Sequence, residues 1–529
     1  MSKLPISDPF LVQKLQLLAI LCTLATTVHG YRILVLAPIN RNSHWNYMQV
    51  FVNELLTQGH EVTCITSIKL SGPKHEKYIE ILIDPPYNMQ NIIKDEDIYK
   101  VVHYSPFAVV DAFRSFANAS LDYALADKNV KKFIHRTDLH FDLVINEDIY
   151  YDALLMFGHK FKAPIVTICP YGIPDFFDHE MGLLTPLSHV SHTLLTYTDQ
   201  MNFFQRWHNT ILSGYDWFLR RFYHVPLQTN LLKKHFGHLK PLPSIDELRK
   251  NISVIFANAH RAITHPRPSM PSLIYIGGAH IKPPKSLPSD IQQFLDEAND
   301  GVIFFSLGSV VNASKMPKAK LNVFLETFSQ LKQRVIWKFE DESIENLPEN
   351  VIVRKWLPQN DLLAHPKVIL FITHGGMLSN FEAVHYGTQV LVIPFAFDQY
   401  RNALRAQSAG YGKYLDFNEI TKESFSGVLN ELLSNKQYSI KAKETAAIFR
   451  KNPINPMDEF IWWVEYVIKF QGAKHLKSTA VDMSLFTYLL LDVLFANLVL
   501  LSILAYVPYF VYQKVLLMKK FLEMKEKEQ

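Results

Sequence analysis

The chain is 529 residues long, 48% hydrophobic and 20% charged, with a formal net charge of +4. A balance so close to neutrality provides no basic field of the kind nucleic acid requires, so no nucleic-acid partner is expected. Three cysteines, Cys22, Cys64 and Cys169, are too few for a disulfide framework, and the length allows two to four domains at about 100–200 residues each.

Mean hydropathy near zero is high for a wholly soluble chain and points to membrane-directed segments. Residues 1–30 read as a secretory signal peptide: Lys3 and Lys14 precede the apolar run Leu15–Thr26, and small residues follow as far as Gly30. That run is shorter than the about 20 residues a membrane span needs. From residue 31 onward, apolar strand runs alternate with amphipathic helical runs, the pattern of α/β units with parallel sheets. Residues 31–276 carry five expected strands: Arg32–Ala37, Glu61–Thr66, Glu80–Ile83, Phe141–Asn146 and Pro164–Ile168. Ser43 and His44 fall in the turn after the first strand, and a helix over Trp45–Gln58 is stopped by Gly59. Cys64 and Cys169 sit in apolar runs and are expected as buried thiols.

Asn202–His238 is rich in Trp, Phe and Tyr with interspersed Arg and Lys. It reads as ordinary helices of the first domain, as a surface that touches a membrane, or as the wall of an apolar acceptor pocket. Residues 277–290, rich in Gly and Pro, read as an interdomain linker. Residues 291–475 then repeat the α/β pattern. Their expected strands are Val302–Ser306, Val335–Phe339, Val351–Val353, Val368–Thr373 and Val390–Ile393, and their helices include Met316–Lys332 and Ser379–Tyr386. The expected fold is therefore α/β, two Rossmann-like domains facing across a cleft, since open α/β sheets bind ligands beyond the carboxyl ends of their strands.

The densest chemistry lies between Trp356 and Gln399. The strand ending at Thr373 runs into His374-Gly375-Gly376 and then a helix. Strand, glycine turn and helix N-terminus together make an anion site, with backbone N–H groups and the helix dipole aimed at negative charge. His374 can donate to a phosphate oxygen, and Glu382, one turn into the helix, can accept from ribose hydroxyls. Asp398 and Gln399 offer groups that suit a sugar, and Trp356 offers a flat face for a base.

The stretch Phe371–Gln399, FITHGGMLSNFEAVHYGTQVLVIPFAFDQ, closely resembles the nucleotide-sugar signature of the UDP-glycosyltransferase superfamily. The resemblance extends over nearly the whole chain and is strongest to insect members of the animal microsomal type. It implies the two-domain GT-B architecture and an enzyme that uses a UDP-sugar as co-substrate, with no cofactor. It also implies that Trp356 stacks on uracil and Gln359 holds the nucleoside. His374, Ser379 and Asn380 would bind the diphosphate, with Ser309 as a further phosphate contact. Glu382 would hold the ribose, and Asp398 and Gln399 the donor sugar. One position departs: Gln389 stands where the family has Pro.

Transfer to a hydroxyl needs a base. His44 is the candidate, because an imidazole with an ordinary pKa of about 6.5 suits proton abstraction at neutral pH. A carboxylate behind it would orient the ring. Glu147 and Asp148, at the end of the fourth strand, are the candidates; the family pattern favours Glu147, with Asp148 as the alternative. No Asp-x-Asp pair lies where a diphosphate would need a metal clamp, so no metal is expected and the transfer is expected to be inverting. UDP-glucose is the donor expected by resemblance, with UDP-glucuronate second, and the acceptor is expected to be a small lipophilic molecule. A binder of lipophilic ligands without chemistry is the competing class, favoured only by Gln389. A homo-oligomer is compatible with this layout.

Near the end, Leu485–Val511 is apolar enough to cross a bilayer, interrupted only by Asp492. Tyr506, Tyr509 and Tyr512 would form an interfacial belt, and residues 512–529, with five lysines from Lys514 to Lys527, would be the cytosolic tail. The topology is then type I with a lumenal body. Lys525 and Lys527 resemble a dilysine signal of endoplasmic reticulum membrane proteins, and sequons at Asn118, Asn251 and Asn312 fit a lumenal location.

Overall fold

The structure is a computed structural model that describes residues 30–39, 42–73, 75–87, 98–101, 105–174, 176–309 and 311–528. The expected signal peptide falls almost wholly outside the described residues. Two parallel sheets form the body. The first contains seven strands in the order β3-β2-β1-β4-β5-β6-β7: β1 Arg32–Ala37, β2 Glu61–Thr66, β3 Tyr78–Leu82, β4 Leu143–Glu147, β5 Ile165–Cys169, β6 Ile252–Ala257 and β7 Leu273–Tyr275. The second contains six in the order β10-β9-β8-β11-β12-β13: β8 Val302–Ser306, β9 Arg334–Lys338, β10 Val351–Arg354, β11 Val368–Thr373, β12 Gln389–Val392 and β13 Gly412–Tyr414.

Each sheet is buried on both faces, which is why its strands read as unbroken apolar runs. Along β1, Ile33 and Val35 enter one core and Leu34 and Leu36 the other. Along β8, Val302 and Phe304 divide from Ile303 and Phe305 in the same way. This alternation is the two-residue period of a strand. Cys64 and Cys169 are both buried.

In each sheet the strand order reverses once, between β1 and β4 and between β8 and β11. Beyond the carboxyl ends of the strands, such a reversal opens a crevice between loops that leave in opposite directions. The helices that bound the two crevices are α1 Asn42–Thr57 after β1 and, after β11 and β12, Met377–Tyr386 and Gln399–Ser408. The helix α1 starts three residues before the expected Trp45, so His44 lies in its first turn rather than in a preceding turn. The two halves meet at several points: Tyr99 OH donates to the Asn312 carbonyl at 2.8 Å, the Phe113 and Phe397 rings lie edge to face at 5.5 Å, and the Tyr47 ring approaches His280 at 6.0 Å. The helix Pro456–Lys469 leaves the second half and packs on the first sheet, where Phe460 contacts Phe51 and Phe256.

At the C-terminus a helix of 37 residues, Leu491–Lys527, is long and apolar enough to cross a membrane. It begins later than the expected Leu485, because Leu490 takes a left-handed conformation, φ 53°, that separates it from the short helix Leu485–Tyr488. Asp492 therefore sits in the first turn of the helix. There the helix dipole favours a negative charge.

Candidate active site

The first crevice holds His44 and Glu147. Glu147 closes β4 and is fully buried, while His44 comes from the first turn of α1. Their side chains meet with Nδ1 of His44 2.6 Å from Oε1 of Glu147. An ionised carboxylate only accepts hydrogen bonds, so Nδ1 donates and Nε2 is left with its lone pair facing outward. The His44 side chain keeps 22% of its surface exposed, enough to meet a second molecule.

Asp148, the alternative partner, turns away from His44. Its Oδ2 accepts from Nη2 of Arg249 at 2.8 Å and its Oδ1 from the Tyr150 amide at 3.2 Å. Consecutive strand residues point to opposite sides, so only one of the pair can face α1. Arg249 also pairs with Asp152 and Glu180, and Asp152 lies 3.5 Å from Arg220 and 3.3 Å from His224. Burial raises the Asp152 carboxyl, but the Arg249 and Arg220 guanidiniums outweigh it and hold the group well below the usual carboxylate range. This buried network was not foreseen; its members are scattered between residues 148 and 249 with no local signature.

The second crevice gathers the signature residues. Gly375 has φ +86°, a conformation that turns the chain from β11 toward the next helix. The His374 ring lies between Gly308 and Gly376; a Cβ on either would approach it to within 2.4 or 2.6 Å, so a side chain at either position would displace the ring. Burial, with help from Lys338, lowers the His374 pKa to about 4, so the ring is neutral at neutral pH. Ser309 is exposed on the turn after β8, on the other side of the same strand reversal. Trp356 follows β10 with 72% of its surface exposed, a free face for stacking.

Gln359 Nε2 donates to Ser379 Oγ at 2.9 Å and also to Glu382 Oε2, so these three side chains form one polar unit between the short helix Gln359–Leu363 and the first turns of the Met377–Tyr386 helix. Burial raises the Glu382 carboxyl to about 7. Asn380 Oδ1 accepts from Tyr411 OH at 3.2 Å, while its buried Nδ2 has no hydrogen-bond partner among the described residues. Asp398 accepts from Asn402 Nδ2 at 2.8 Å, and burial raises its pKa against the opposing pull of Arg401. Gln399 Oε1 accepts from the amides of Phe395 and Ala396 at 2.8 and 3.1 Å, which leaves its Nε2 to donate. These bonds hold the loop in which Phe397 adopts φ 57°, a strained conformation for a large side chain.

The crevices face each other. Asp398 lies across the gap from His44, and Arg401 Nη1 lies 3.3 Å from Thr193 Oγ1 of the first half. A cavity lined by Arg267, Arg401, Arg405 and His265 opens at the same junction. Sequence reasoning missed these arginines, because surface and cleft arginines look alike in a single chain. Gln389 lies at the start of β12, at the strand end opposite Asp398, and its Nε2 donates to the Leu432 carbonyl at 3.1 Å. The Gln389 Oε1, also buried, has no hydrogen-bond partner among the described residues, so the amide is only half satisfied there.

Two parallel sheets with facing strand reversals, one carrying a His–Glu pair and the other a glycine turn with a carboxylate-bearing helix, define a GT-B glycosyltransferase. Solved glycosyltransferases share this fold: VinC in complex with dTDP matches with a TM-score of 0.57 at 16% identity over 83% of this chain and 100% of that one. The calicheamicin glycosyltransferase CalG4 also gives 0.57, at 15% identity, over 83% of this chain and 98% of that one. The chain belongs to the UDP-glucuronosyl and UDP-glucosyl transferase family, whose model matches residues 32–528. Its relatives include UDP-glucosyltransferase 2 of Dactylopius coccus, 35% identical over 91% of this chain and 92% of the relative. Human UDP-glucuronosyltransferase 2B7 is 29% identical over 85% of this chain and 87% of the relative.

Proposed function

We propose that this UDP-glycosyltransferase transfers glucose from UDP-glucose to the hydroxyl of a small lipophilic acceptor, with inversion. The observation that carries the reading is the His44–Glu147 contact of 2.6 Å, opposite Asp398. The acceptor proton passes to Nε2 of His44 while the acceptor oxygen bonds to the anomeric carbon. The bond from that carbon to the diphosphate breaks, and its electron pair leaves with UDP. Glu147 orients the ring and stabilises the imidazolium as it forms.

On the donor side, Trp356 stacks on uracil, Gln359 holds the nucleoside and Glu382 takes the ribose hydroxyls. Ser309, Ser379, His374 and the amides around Gly375 and Gly376 meet the diphosphate charge as it grows. Asn380 supports the helix through Tyr411. Asp398 and the free Nε2 of Gln399 orient the sugar. The glucose reading is supported by the 35% identity to an insect glucosyltransferase, against 29% to the human glucuronosyltransferase. The C-terminal helix anchors the protein in the endoplasmic reticulum membrane, with the body lumenal and the lysine tail cytosolic, and the conjugation serves detoxification or the handling of hormones and pigments.

The test is UDP release from UDP-glucose with a panel of phenols, for the wild type and His44→Ala. Acceptor-dependent release is expected, falling by about 10²–10⁴-fold in the variant while UDP binding persists. Release that is unchanged in His44→Ala overturns the assignment of the base, and UDP binding without release from any UDP-sugar overturns the transfer itself.

A further inference from the structure

The helix Phe203–Leu219 continues through a π turn at Arg220–His224. Its inner face is satisfied: Asn209 and Leu212 are buried, and Leu212 packs with Val110 and Leu195. Its outer face carries Phe204, Trp207, Ile211, Phe218 and Phe222, which are between 48% and 73% exposed. They recur at spacings of three, four and seven residues, so they form one stripe along the helix. Large aromatics exposed in a row are far from the scattered apolar residues of an ordinary surface.

The place of this stripe in the molecule identifies its partner. At the end of the helix, Arg221 pairs with Asp246 at 2.7 Å, on the short helix Ile245–Lys250. The other end of that six-residue helix holds the segment leading into the C-terminal helix: Lys250 bonds Asp482 at 2.9 Å, and Lys477 donates to the Lys250 carbonyl at 2.6 Å. A helix of that length spans about 9 Å. The aromatic stripe and the start of the apolar segment at Leu485 are thus fixed to the two ends of one short, rigid element. Gly182 adds a third contact, since a Cβ there would meet the Val481 amide at 2.8 Å. No residue of the C-terminal helix is buried by the body, so its surroundings are lipid when it spans a bilayer.

We propose that the Phe203–Phe222 helix lies in the headgroup region of the bilayer crossed by the C-terminal helix, with its aromatic stripe inserted among the acyl chains. Trp and Phe with flanking Arg are the residues that settle at this depth. The proposal rests on the membrane-anchor reading above. The inner side of the same helix bears on the 189–199 segment, part of which lines the cavity between the halves, so the helix would stand between the bilayer and the cleft. A lipid-dissolved acceptor would then meet the enzyme at this face.

The test uses the full-length protein in phosphatidylcholine vesicles, with a polarity-sensitive thiol probe placed singly on a Cys22→Ser background. Cys64 and Cys169 are buried and do not compete for label. Three positions are compared: Trp207→Cys in the stripe, Val499→Cys in the C-terminal helix and Ile440→Cys on an exposed helix of the second half. Brominated acyl chains serve as the quencher. Blue-shifted, quenched emission at 207 and 499 with none at 440 is expected. Quenching at 499 without quenching at 207 overturns the proposal and leaves the anchor intact. Absence of quenching at 499 overturns the anchor reading and the proposal built on it, and equal quenching at 440 and 207 reduces the stripe to unspecific adsorption and likewise overturns it.

Discussion

Glu382 is a carboxyl group buried behind Gln359, and burial lifts its pKa to about 7. In the free enzyme it is therefore largely protonated below neutrality. Ribose hydroxyls donate hydrogen bonds, which a carboxylate accepts better than a carboxylic acid, so donor binding favours the ionised form. Binding below pH 7 must then release a proton, and affinity for UDP-glucose is expected to rise by up to about tenfold per pH unit until it levels near neutrality. UDP-glucose is the ligand to use, since its diphosphate carries no proton that titrates in this range. Calorimetry across pH 5.5–8 checks the slope, and Glu382→Gln is expected to flatten it. A wild-type affinity independent of pH would remove Glu382 from the ribose site. At this scale much of the candidate site was legible, because Trp356, Gln359, His374, Glu382 and Asp398 lie within 43 residues of one another in a spaced signature. What could not be read was direction: that Asn380 turns to Tyr411, and that Asp148 turns to Arg249 rather than to His44, depends on strand and helix phase at single-residue resolution.

Secondary-structure elements bring distant residues together where the chain alone gives no warning. The strands Arg32–Ala37, Glu61–Thr66, Val302–Ser306 and Val368–Thr373 have the expected bounds, since each is a compact apolar run between turn residues. Ile252–Ala257, Leu273–Tyr275 and Gly412–Tyr414 were not anticipated. The first is apolar but follows directly on a helix, and the other two are only three residues long. The same blindness hid the network around Arg249, in which β4, the short helix Ile245–Lys250 and the π turn converge on Asp148, Asp152 and Glu180. Arg249→Leu removes the one cation shared by all three carboxylates. Breaking such a buried set on one side costs about 3–5 kcal/mol, because the remaining charges stay buried. Denaturant unfolding should show that loss. Activity per folded molecule should fall as well, since Asp148 adjoins Glu147 on the same strand end. A loss under 1 kcal/mol would mean that the carboxylates take up protons at little cost.

Across the whole molecule, the helix Pro456–Lys469 decides how the two halves are coupled. It comes after the second sheet in the chain but completes a core of the first: Phe460, Val464 and Val467 are fully buried there, with Phe460 4.6 Å from the Phe51 ring and 4.9 Å from that of Phe256. The first sheet therefore cannot close its core until the chain beyond the second has been made. Two buried thiols report on its two faces separately. Cys64 shares the core of Phe460, whereas Cys169 lies in the core on the opposite face of the same sheet. Phe460→Ala should cost about 3–5 kcal/mol by transfer and cavity. If the helix opens on its own, that cost raises the open population by on the order of 10²–10⁴-fold and with it the rate at which a thiol reagent reaches Cys64. Cys169, held by the other face, should react nearly as slowly as in the unsubstituted protein. Rates that rise together at both thiols would instead show that the sheet opens as one unit. The helix would then be a structural part of the first domain, and the two halves would be tied by the chain rather than by a detachable clasp.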